Sequence, residues 1–140
     1  MESNRSMEQA MEAALAEYKA GNLSTAAEQW RALAEDGFAP AQRVLGSLYE
    51  RGQGVDKDAS LAYAWTSKAA EQNDAVAMFN LGCYLDKGTG VDKDRDAALS
   101  WYRKAAEYGH ADAAALLAAL YETGDRGLEK SMDEAVRWYQ

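Results

Sequence analysis

Apolar and small residues recur along this chain at helical spacing, in short runs that end at glycine. In "AQRVLGSLYERG" (41–52), Ala41, Val44, Leu45, Leu48 and Tyr49 fall three and four apart and share one helix face. Gly52 ends the run as a residue just past a helix terminus. "QGVDKD" follows, too short for a strand pair. Gly54 permits the bend, and Asp58 is placed to cap the next helix with its carboxylate. "ASLAYAWTSKAAEQN" then sets Leu61, Ala62, Trp65, Ala69 and Ala70 on one stripe. Asn73 closes it, Asp74 is placed to cap the following helix, and the cycle restarts. Pro40 falls in a first helical turn, where its missing N–H costs nothing. No alternating strand pattern competes.

The cycle is 36 residues long. "RGQGVDKD" at 51–58 returns as "KGTGVDKD" at 87–94, and "KAAEQN" at 68–73 as "KAAEYG" at 104–109. Gly52, Gly88 and Gly124 keep the interval, as do Ala41, Ala77 and Ala113. Such a period marks stacked units, none able to bury its apolar face alone. The expectation is an all-α fold, an α/α solenoid of four antiparallel helix pairs: about 7–20 with 24–36, 39–51 with 58–72, 75–87 with 94–108, and 111–123 with 132–140. One domain then spans 1–140, divided into an opening pair at 7–37, repeats at 38–73 and 74–109, and a divergent, shortened last repeat at 110–140. Gly46, Gly82 and Ala118 recur where the helices of a pair should cross. Trp65, Trp101 and Trp138 follow an alanine by three and are expected in the core; Trp30 is shifted by one residue and expected to be more exposed.

The motif Ala-x-x-x-Leu-Gly-x-x-Tyr, then Gly-x-Gly-Val-x-Lys-Asp, then Ala-x-x-Trp-x-x-Lys-Ala-Ala-Glu, resembles the Sel-one-like repeat, a longer-looped relative of the tetratricopeptide repeat. The likeness covers about 8–140 and is fullest over 41–112. The first pair, joined by "AGNLST", lacks the Gly-x-Gly-Val extension and looks tetratricopeptide-like. The last, "ETGDRGLEKSMDEA", carries one extra residue and loses the Val-x-Lys-Asp wording. The resemblance implies a non-enzymatic adaptor, scaffold or regulator, bacterial in style, that holds a protein or peptide on the concave side of its stacked first helices. If that geometry carries over, the groove is lined by Glu12, Ala16, Lys19, Arg43, Ser47, Glu50, Phe79, Cys83, Asp86, Ala115, Ala119 and Glu122. Phe79, flanked by small residues, would be an anchor site. The final helix, carrying Val136, Trp138 and Tyr139, has no successor to cover it, which invites weak self-association.

Composition narrows the alternatives. Lys and Arg number 15 against 23 Asp and Glu, a formal charge of −8 spread over both halves. Without a basic stripe, nucleic acid is a poor partner. That charge permits another reading, an inhibitory or immunity-type protein occluding a basic target; a third is a non-catalytic subunit of an enzyme complex. Cys83 is the single cysteine and His110 the single histidine, so neither an internal disulfide nor a multi-cysteine metal site is expected. Asp92, Asp94 and Asp96 alternate like calcium ligands, but the sixth and twelfth places of such a loop hold Ala97 and Arg103, not Gly and Glu. Neither glycine corner has phosphate-loop spacing. No cofactor, no metal and no catalytic residue are expected. With no signal-like or membrane-spanning run and no sign of a membrane partner, a cytoplasmic location is expected; the alternative is export by a signal peptide already removed from a longer precursor.

Overall fold

The computed structural model describes residues 2–124 together with 134, 137 and 138. Among them run seven helices and no strand: α1 (Glu2–Lys19), α2 (Leu23–Glu35), α3 (Ala39–Arg51), α4 (Ala59–Glu71), α5 (Ala75–Lys87), α6 (Arg95–Glu107) and α7 (Ala111–Thr123). Each helix packs on its neighbours in the chain, which makes the stack a solenoid of antiparallel pairs. The eighth helix expected at 132–140 falls largely outside the described residues.

The ends of the helices are written locally. Asp58, Asp74 and Asp94 each accept a hydrogen bond from the backbone N–H three residues on, at 3.0 Å. His110 does the same through Nδ1, accepting from the Ala113 N–H at 3.2 Å. Gly52, Gly88 and Gly124 terminate α3, α5 and α7 in the left-handed region, with φ of +69°, +78° and +70°. The second glycine of each corner has a different task. Gly54 seats on the Leu23 carbonyl and Gly90 on the Ala59 carbonyl, so each corner rests on the start of the second helix of the preceding pair. A Cβ at Gly90 would lie 2.0 Å from that oxygen. Asp94 is thereby a cap, with its side chain spent on helix α6.

Within the α3/α4 and α5/α6 pairs the crossing is glycine against a core side chain. Gly46 meets Thr66 and the Ala62 carbonyl; Gly82 meets the Tyr102 ring and the Ala98 carbonyl. The core positions of the second helices are therefore Trp30, Thr66 and Tyr102, spaced 36 apart, and all three are buried. This corrects the expected tryptophan pattern. Trp30 is only 3% exposed, whereas Trp65, Trp101 and Trp138 are half-buried. The invariant interval runs from the buried alanines Ala26, Ala62 and Ala98, and the core residue lies four beyond each. Trp65 and Trp101 lie three beyond, on the flank of the stripe. There Lys68 and Lys104 place their ammonium groups over the indole faces, at 4.6 and 5.3 Å. Leu61, expected on the buried stripe, is likewise exposed.

Candidate interaction trough

The first helices of three successive pairs share one trough of about 260 Å³. Helix α1 contributes Leu15 and Tyr18, α3 contributes Arg43, Val44, Ser47 and Arg51, and α5 contributes Val76 and Asn80. Trp30 and Leu48 form its floor from the core, and Gln53 closes one end, accepting a hydrogen bond from the Tyr18 hydroxyl at 2.9 Å. Leu15 is 42% and Val76 40% exposed, two of the few large aliphatic side chains left open to water. No carboxylate lines the trough; its charged groups are Arg43 and Arg51. Arg43 donates through Nε to Asp74 at 3.1 Å, while Arg51 is exposed and makes no ion pair among the described residues. A wider depression of about 860 Å³ lies on another face, between α2, α4 and the corner 54–58. Its charges are mixed, from Glu28, Arg31, Asp56, Lys57 and Asp58.

Of the residues expected to line a groove, Arg43 and Ser47 fall in the trough. Glu12, Ala16 and Lys19 are exposed on α1 beyond its lining. Glu50 is half-buried and accepts a hydrogen bond from the Tyr84 hydroxyl at 3.1 Å. Burial, and next the Glu50 carboxylate, push the Tyr84 phenol up to about 12. Phe79 is half-buried and engaged within the fold: it stacks on His110 with centroids 4.7 Å apart and packs tilted on Tyr102 at 5.6 Å. Cys83 is half-buried, and burial raises its thiol pKa, which disfavours a reactive thiolate. Asp86 and Glu122 are half-buried; Ala115 and Ala119 are exposed on α7. Val136 and Tyr139 lie outside the described residues; Trp138 is half-buried against the core cluster that includes Leu81, Tyr102 and Leu117. Among the described residues no three His, Cys, Asp or Glu side chains converge as metal ligands, and no helix is long and apolar enough to cross a membrane.

Sequence reasoning missed Leu15, Val76 and Arg51. For Leu15 and Val76 the signal was present but weak: each is a large side chain beside a buried alanine and off its helix's apolar stripe. Val76, for instance, stands next to buried Ala77.

Stacked helix pairs with glycine corners and a trough along the first helices define an α/α-solenoid repeat protein. The Sel1 repeat family matches residues 39–74, 75–110 and 111–140. The chain belongs to that family, whose members are in general protein–protein interaction modules built on a typically non-catalytic fold. It is similar to a Sel1 repeat protein from Oxalobacter formigenes, 39% identical with a TM-score of 0.83 over 93% of this chain and 51% of that one. It is also similar to a protective antigen of uropathogenic Escherichia coli strains that displays an SLR fold, at 33% identity and a TM-score of 0.82 over 95% of this chain and 29% of that one. Cysteine-rich protein B of Helicobacter pylori aligns at 31% identity and a TM-score of 0.64, over 66% of this chain and 70% of its own. The chain thus spans about half the length of the first of these and under a third of the second. No curated protein sequence matches it.

Proposed function

We propose that this protein is a non-enzymatic binding module that holds a protein or peptide partner in the trough of α1, α3 and α5. The observation that carries the reading is the pair Leu15 and Val76, two aliphatic side chains exposed on opposite flanks of a concave surface. Exposed apolar surface in a concavity with a few polar groups is the usual form of a recognition site. The groove is thereby centred on Arg43, Ser47, Leu15 and Val76. Phe79 lies outside that lining, stacked on His110 and packed against Tyr102. The test is affinity capture from the native cell lysate with the parent protein and with Leu15→Asp/Val76→Asp, read by mass spectrometry. The parent enriches a partner and the double variant loses it at unchanged helicity. Equal recovery by both sinks the assignment. The formal charge of −8 favours one other reading, occlusion of a basic target. That partner would be released steeply by salt, and its capture would survive loss of the two aliphatic groups.

A further inference from the structure

The trough is a cationic, apolar island in an acidic protein, and that contrast specifies its occupant. We infer that it takes an extended peptide segment pairing an aliphatic side chain with a nearby Asp or Glu; this rests on the trough being the partner site. The volume of about 260 Å³ falls short of the roughly 300–1,000 Å³ of small-molecule sites and suits a side chain or two of a longer chain passing over it. Leu15, Val44 and Val76 form the apolar seat. Around it the protein has 23 acidic side chains against 15 basic, yet both charged groups of the lining are arginines. Asp74 occupies only Nε of Arg43, so the terminal nitrogens of that guanidinium are open to a second carboxylate. Arg51 has no acidic partner among the described residues. A guanidinium fork matches a carboxylate with two parallel hydrogen bonds. Asn80 and Ser47 supply amide and hydroxyl groups that can pair with a peptide backbone, which an extended ligand leaves unsatisfied. A basic segment would instead meet the like charge of Arg51, with no carboxylate in the lining to attract it.

The test is selection of random displayed dodecapeptides on the full chain, on Arg51→Glu and on Val76→Asp, with circular dichroism confirming that each variant is folded. The parent enriches sequences joining Leu, Ile or Val to Asp or Glu within a few residues. Arg51→Glu shifts the pool toward Lys and Arg, and Val76→Asp recovers no consensus. For a selected peptide, replacing its acid by the amide weakens binding to the parent about tenfold, and Arg51→Lys retains part of the affinity. A pool enriched in aliphatic residues without acids, or unchanged by Arg51→Glu, overturns the acidic preference and leaves the trough standing. A pool recovered equally on Val76→Asp overturns the trough itself. No consensus on any of the three proteins also overturns the inference.

Discussion

Asp74 joins two repeats with one carboxylate. Oδ1 accepts from the Ala77 N–H at 3.0 Å and caps α5, while Oδ2 accepts from Arg43 Nε on α3 at 3.1 Å. The residue that starts one helix therefore also aims a guanidinium along the trough. Asp74→Ala is expected to lose the cap, about 1 kcal/mol, plus a partly screened ion pair of a few tenths. Asp74→Asn keeps the cap oxygen and loses only the ion pair. Urea unfolding should rank parent, Asn and Ala in that order; equal losses for the two variants would show that the cap contributes nothing.

The two glycines of one corner should respond differently to a methyl group. Gly88 and Gly90 have similar φ, +78° and +70°. A Cβ at Gly88 meets nothing closer than 3.6 Å, whereas at Gly90 it meets the Ala59 backbone. Gly88→Ala is expected to cost only the left-handed strain, about 1–2 kcal/mol. Gly90→Ala adds displacement of the corner from α4 and should cost clearly more. Thermal melts of the two variants compare them directly.

Indole placement predicts a second contrast. Trp30 is buried where Thr66 and Tyr102 stand in the later repeats, while Trp65 sits half-exposed under Lys68. Trp30→Ala should cost about 3–5 kcal/mol, the usual range for a buried aromatic. Trp65→Ala should cost well under that. Denaturant midpoints measure both, and near-equal losses would contradict the register assigned to the second helices.

Tyr84 makes stability fall in alkali. Its pKa is raised from 10 to about 12 in the fold, so the neutral phenol is favoured by folding. The contribution is complete below pH 10 and is lost as pH rises toward 12, because the unfolded chain then ionises first. Tyr84→Phe should be less stable at neutral pH through the lost hydrogen bond to Glu50, and its decline between pH 10 and 12 should be shallower than the parent's. Parallel urea titrations across that range test it.

Much of the fold was legible because it is local. Asp58 and Asp74, three residues before the N–H groups they cap, and Gly52, Gly88 and Gly124, at left-handed ends, follow from spacing and backbone sterics alone. Repetition of those signals every 36 residues made the helix pairs readable. Period alone could not separate a residue three past an alanine from one four past it, since both lie near the same stripe. Trp65 was therefore placed in the core and Thr66 overlooked until the closeness of Gly46 to Thr66 decided which faces inward.

The trough was less legible because no single segment contains it. Leu15, Arg51 and Val76 come from three helices and belong to no motif; only the stacking angle of the pairs brings them to one surface. Phe79, expected as an anchor, is half-buried and stacks on His110, a contact between two repeats that no local pattern announces. Helix ends were set by interactions reaching no more than five residues along the chain. Which off-stripe side chains meet, and which stay open to a partner, was decided by contacts between residues dozens of positions apart, and those exist only once the pairs have packed.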